Sequence, residues 1–298
     1  MKVVSYIKSI LDEFINLKRH ILILKLTLLF IVVFTRSDFY LHIPTKILAT
    51  YMIFSDNLSA HKGLWGFLTF VHLLIIITQW QYIDNHKFLS VYWITTCFLS
   101  LFSKDILKTL QFNGRILIGL TFLFATFHKI AGGEYLNGKF FLFTFLTDSR
   151  FEWPVGLAAQ LTMEKLPMNY HKLETLRSWP LDIKSITLFA TPFIKSLAYF
   201  VSYWTIFIEG VIAIFFLTPT KYIISKYKDI TLIIFILSTY LIVMVSGFYY
   251  LLFLLGFSQL DIKQSKSAYL YIFCLIVFEM RNIPFFEYLT YLGVIPSY

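Results

Sequence analysis

The stretch Ile116-Leu-Ile-Gly-Leu-Thr-Phe-Leu-Phe-Ala-Thr-Phe127-His128-Lys129-Ile-Ala-Gly-Gly-Glu134-Tyr135-Leu-Asn-Gly138 decides how the chain is read. Twelve residues with no charge run into an adjacent imidazole and amine, followed by two glycines, a carboxylate and another glycine. Ionisable side chains at the end of a bilayer-length segment are expensive to keep there, which makes His128 and Lys129 candidates for function. A lysine at a helix end can also simply reach out to the lipid headgroups, and both readings stand on the residues alone.

Outward from this stretch the same character repeats. The 298 residues are 58% hydrophobic, 19% aromatic and only 14% charged, and 33 of them are phenylalanine. A mean hydropathy of +0.71 leaves too little polar surface for a water-soluble fold. The expectation is an all-α, polytopic integral membrane bundle of about seven spans (six to nine) with short interfacial helices. Apolar runs at 21–34, 63–80, 88–102, 116–127, 194–217, 230–257 and 268–280 supply the spans. The run 230–257 exceeds what a bilayer needs and is expected to tilt or break near Ser246-Gly247. Residues 105–115 read as the loop before the fourth span, and 140–146 as a short tilted piece. Pro44 and Lys46 make 37–54 an interfacial helix in preference to a span.

A single membrane domain over 1–298 is expected, with an amphipathic lead-in at 1–20, a polar interfacial loop at 151–185 and an aromatic surface tail at 281–298. Trp153-Pro154 and Trp179-Pro180 bracket the polar loop, and tryptophan favours the headgroup level. No small-residue cleavage site follows 21–34, so the N-terminus does not read as a cleaved signal. The basic N-terminus favours the cytoplasmic side of a bacterial cytoplasmic membrane.

The net charge of +9 comes mostly from residues between apolar runs, where it faces anionic lipid. No compact basic or Gly/Arg-rich stretch is present, which argues against nucleic-acid binding and leaves the bilayer as the partner of the basic residues. Cys97 and Cys274 sit in apolar runs and are expected as buried free thiols. Neither belongs to a CxxC, and no metal site is expected.

Two further polar features lie inside spans. Trp65, Thr69, His72 and Gln79 recur at roughly helical spacing, and such a stripe should face the protein interior. In Ile206-Phe-Ile-Glu209-Gly-Val-Ile-Ala, Glu209 lies four residues after Thr205 and seven after Ser202, on one helical face. A structural ion pair, a protonated acid and a chemical role are all open for it.

These pieces resemble the HTTM family, the transmembrane domain shared with vitamin K-dependent gamma-carboxylase. His128-Lys129-Ile130, Tyr135 and Gly138 stand where that family shows a basic pair, an aromatic and a glycine after an apolar helix. Ile208-Glu209-Gly210 with Pro219 is similar to its Glu-bearing span, and Gly247-Phe248-Tyr249-Tyr250 to its late aromatic turn. Where the family often carries a histidine before that turn, this chain has Ser238 and Thr239. The resemblance implies Lys129 as the base that deprotonates a reduced quinone, with His128 assisting and Glu209 tuning. It places Tyr135 and Tyr249 at the cofactor, while His72, costly inside a span, reads on its own as either a packed, hydrogen-bonded histidine or a further cofactor ligand. It also implies an alternative: a non-catalytic membrane factor that matures or exports a peptide or protein partner. A transporter ranks third, since no repeat symmetry is visible. Contact between Lys129 and Glu209 would hold the lysine charged and separate a base from a structural ion pair.

Overall fold

A computed structural model describes residues 18–34, 40–151, 155, 165–178, 186–240, 242–243, 245–261 and 265–282. The lead-in at 1–17, both Trp-Pro pairs and the tail beyond 282 lie outside the described residues, as does most of the segment expected to cap the bundle around 155–165. Among the described residues the regular structure is entirely helical. The chain runs through α1 (Arg19–Phe34), α2 (His42–Ile53), α3 (Asp56–Ser59), α4 (Lys62–Gln79), α5 (Asn85–Ser100) and α6 (Ile106–Gly132). There follow α7 (Lys139–Thr147), α8 (Lys165–Ser178), α9 (Pro192–Leu217), α10 (Lys228–Tyr240), α11 (Ser246–Ser258) and α12 (Ser265–Asn282).

Three of these, α4, α6 and α9, are long and apolar enough to cross a membrane, at 18, 27 and 26 residues. A rise of about 1.5 Å per residue makes α6 and α9 roughly 40 Å long, more than the ~30 Å hydrocarbon core requires. The exposed side of α9 carries Phe193, Phe200, Tyr203, Trp204, Phe207 and Ile214, a contiguous apolar surface that suits lipid and not water. Its other side buries Ile194, Ala198, Ile208, Ile212, Ala213 and Phe216 together with Ser202, Thr205 and Glu209. Polar atoms inside and aromatics outside is the arrangement expected of a helix whose solvent is hydrocarbon.

The described residues fall into two compact units, one within Met1–Ile118 and Ser246–Tyr298, the other within Gly119–Val245, and α6 runs from the first into the second. In the first unit α1 lies along α2. It is tied to α5 through Thr27, whose hydroxyl donates to the Ile23 carbonyl at 2.9 Å and accepts from the Trp93 indole at 2.9 Å. Cys97 is buried beside the same hydroxyl, and Cys274 is buried too, both as free thiols. Pro44 sits in the first turn of α2, where its missing N–H costs no helical hydrogen bond. Trp65, Thr69 and His72 of the polar stripe are buried as the spacing implied, while Gln79 is half-exposed.

In the second unit α9 starts at Thr191, whose side chain accepts from the Ile194 amide at 3.2 Å with Pro192 in the first turn. Phe145, Leu146, Val155, Ile194 and Ala198 form the core between α7 and the start of α9. Asn169 of α8, almost fully buried, exchanges two hydrogen bonds with the Phe189 backbone, 3.1 and 2.9 Å, and so pins the segment that leads into α9.

One segment departs from expectation. Residues 106–115 are not a loop: α6 begins at Ile106 and is continuous to Gly132. Asp105 accepts from the Lys108 amide at 3.0 Å in the manner of an N-cap, and Asn113 donates to the Thr109 carbonyl at 2.8 Å. Gly114 leaves room for Ser258, whose hydroxyl would lie 2.3 Å from a Cβ there. The polar residues that looked like a break are thus absorbed by local and tertiary contacts. The run 230–257 is divided as expected, with α10 ending at Tyr240 and α11 beginning at Ser246.

Candidate functional site

The second unit brings Lys129 to Glu209. Lys129 lies in the last turn of α6, where a cation also suits the negative end of the helix dipole. Its Nζ donates to both carboxylate oxygens of Glu209, with the two side chains 15% and 8% exposed. The contact depends on how α6 meets α9. Gly119 of α6 faces Leu217, so closely that a Cβ would lie 2.7 Å from the leucine side chain. Two turns on, Thr126 faces Gly210 at 3.7 Å. The partner numbers fall as those along α6 rise, so the helices run antiparallel, and small residues at the crossing allow the approach that Lys129 and Glu209 need.

The turn after α6 folds back over this pair. Gly133 and Gly138 both have left-handed backbone, at φ 69° and 68°. Gly138 is required twice, because a Cβ there would also press on the Tyr199 ring at 3.1 Å. The Leu136 carbonyl accepts from the Tyr203 hydroxyl of α9 at 3.2 Å and anchors the turn. Tyr135, held against Phe140 with ring centroids 4.3 Å apart, presents its ring to the Lys129 ammonium at 5.3 Å. A cation over a tyrosine face in a partly dry site adds attraction to the ion pair.

His128 does not join this group. Consecutive helical residues point about 100° apart, so with Lys129 turned inward the His128 ring lies exposed, edge-on to Phe127 at 6.2 Å. Glu209 keeps its expected companions: Ser202 and Thr205 are buried on its face, the Thr205 hydroxyl donating to the Ser202 carbonyl at 2.9 Å. Tyr240 of α10, which the sequence did not single out, is buried near enough to Glu209 to feel its charge. No signal in the sequence links residues 31 positions apart on two plain apolar helices.

The other two expected binding residues belong to the first unit. His72 is 5% exposed; its Nδ1 hydrogen-bonds the Leu68 carbonyl at 2.8 Å, and its Nε2 is buried with no partner among the described residues. Tyr249 is fully buried, stacked on Tyr250 and on Phe278 at 4.6 Å each. Among the described residues no cluster of His, Cys, Asp or Glu has the makings of a metal site.

Burial, and then the Glu209 and Glu134 carboxylates, push the Tyr135 hydroxyl above the ordinary tyrosine range. A raised folded-state value means that neutral Tyr135 contributes stability below the unfolded value of about 10 and loses it as pH rises through the folded one. In an alkaline titration followed by tyrosinate absorbance, the component removed by Tyr135→Phe should ionise after the exposed tyrosines. If it ionises with them, the turn does not shield the ring as described.

A scan against family models finds no match, and neither the curated proteins nor the solved structures searched contain a similar chain.

Proposed function

We propose that this chain is a multi-pass membrane protein of about seven spans, resembling the HTTM family, in which Lys129 and Glu209 act together on the acidic proton of a lipid-soluble substrate. On this reading the apolar helices α1, α5, α11 and α12 are the further spans beside the three long ones, with the N-terminus in the cytoplasm of a bacterium. The observation that bears on it is the direct contact of one amine with one carboxylate inside helices of bilayer length, which by itself holds Lys129 charged, so the base reading requires the proton to move within the pair. Such a pair is electrically neutral with the proton on either partner. Moving it from Lys129 to Glu209 therefore frees an amine without placing net charge in a dry site. A phenolic hydroxyl beside Tyr135 then has a base to meet, and a reduced quinone fits that requirement by its own acidity. When bound, the quinone would supply the redox chemistry; the chain's part is to keep the transferred proton on Glu209 and take the quinol's proton at Lys129 Nζ, leaving an ammonium beside the quinol anion.

The same contact favours a second reading. Both oxygens of Glu209 are occupied by one ammonium, an arrangement that holds Lys129 charged and suits a structural latch in a non-catalytic factor for maturing or exporting a peptide. Arginine separates the two, because it makes the forked ion pair and cannot be deprotonated. Wild type, Lys129→Ala and Lys129→Arg would be purified in matched detergent and their co-purifying lipids and quinones identified by mass spectrometry. The expected result is a quinone retained by wild type and lost from both variants, with Lys129→Arg as heat-stable as wild type. The same lipids in all three, or no quinone in any, would turn the assignment to the maturation factor.

A further inference from the structure

The first unit holds two adjoining cavities of opposite character. The larger, about 370 Å³, is a groove walled by α1, α11 and α12, with Leu29, Val33, Phe253, Leu254, Tyr271 and Leu275 among its lining and almost no polar surface. The smaller, about 50 Å³, is lined by His42, His72, His86, Lys87 and Ser90 among apolar residues, with no Asp or Glu among the described residues that line it. Phe30 and Phe34 are walls of both, so the two spaces adjoin at those residues. Phe34 in turn packs on Tyr250 at 4.2 Å on the groove side.

We infer that groove and chamber together bind one long-chain carboxylic acid, its single tail in the groove and its carboxyl group against His72 and Lys87. Three observations select this ligand. First, His72 Nδ1 faces a carbonyl, which can only accept, so the ring proton sits on Nδ1 and Nε2 offers a lone pair. That nitrogen is buried without a partner among the described residues, and it calls for a group that brings an acidic O–H. Second, Lys87 lines the same chamber, so its ammonium is at hand for the remaining oxygen, and no carboxylate among the described lining residues opposes it. Third, the volumes set the size. At about 30 Å³ for a water-sized group, the chamber takes a carboxyl group and not a phosphodiester with its glycerol. The groove takes a chain of roughly a dozen methylenes, within the usual range of about 300–1,000 Å³ for ligand cavities. One acyl chain fits where two do not. Gly247 keeps the chamber's rim open, since a Cβ there would come within 3.2 Å of the His86 ring.

The inference is independent of Lys129 and Glu209, which lie in the other unit. The full chain would be purified in a non-acyl detergent, and binding of palmitic acid and of methyl palmitate compared by equilibrium dialysis. Palmitic acid is expected to bind saturably with one equivalent per chain, and methyl palmitate, which lacks the O–H, at least tenfold more weakly. His72→Phe should erase the difference between acid and ester. Val33→Trp changes an exposed groove residue, leaves the chamber intact and should abolish binding of both, with thermal unfolding confirming that each variant is folded. Equal binding of acid and ester to wild type, an undiminished preference in His72→Phe, or no saturable binding at all would each overturn the inference.

Discussion

Glu209→Ala should destabilise the protein by about 3–5 kcal/mol, the cost of leaving a buried charge without its partner. In wild type the Lys129 ammonium is only 15% exposed and its hydrogen bonds go to the Glu209 carboxylate. Removing the carboxylate strands that charge against the Tyr135 ring. Lys129→Ala should cost a similar amount by the converse route. Replacing both residues by apolar ones of like size, Lys129→Met with Glu209→Leu, should recover most of the loss, because two desolvation penalties vanish together. Thermal unfolding in matched detergent reads all four proteins. If Glu209→Ala unfolds within a degree or two of wild type, the pair is too wet to matter and neither reading of it stands.

The second large effect is expected at Gly119. A Cβ at this position would stand 2.7 Å from both the terminal Cδ2 and the branch-point Cγ of Leu217, with the Leu217 backbone nitrogen at 3.3 Å. Gly119→Ala should therefore force α6 and α9 apart at a cost of about 1–3 kcal/mol, despite alanine's better helix propensity. Leu217→Ala makes room on the facing helix. The double variant should be more stable than the sum of the singles by at least about 1 kcal/mol, the coupling expected of residues in contact. Strict additivity would place these residues apart and remove the register that delivers Lys129 to Glu209.

Much of this was legible in the sequence because helical geometry is local. Ser202, Thr205 and Glu209 share a face by spacing alone, and a carboxylate on an apolar helix has only one side to turn to. The long run 230–257 had to be interrupted, since its length exceeds what one span needs, and the interruption falls just before Ser246. The start of α6 was hidden for the opposite reason. Asn113, Gly114 and Arg115 carry the composition of a loop, but in the helix Asn113 donates to Thr109 and the space at Gly114 is taken by Ser258. His128 was grouped with Lys129 because they are neighbours in sequence. On a helix neighbours diverge, and the residue that meets Lys129 lies 80 positions away. That pairing depends on close approach at Gly119 and Gly210, a tertiary register that no periodicity in either helix encodes.

The contact between Lys129 and Glu209 is the point on which both readings of the site rest, and exchanging the charges tests it most directly. Lys129→Glu alone sets two carboxylates together and Glu209→Lys two ammonium groups, so each single variant should unfold well below wild type. The swapped protein, Lys129→Glu with Glu209→Lys, restores opposite charges across the same helices and should regain most of the lost thermal stability. A swapped protein no more stable than its weaker single variant would show that the two side chains do not meet.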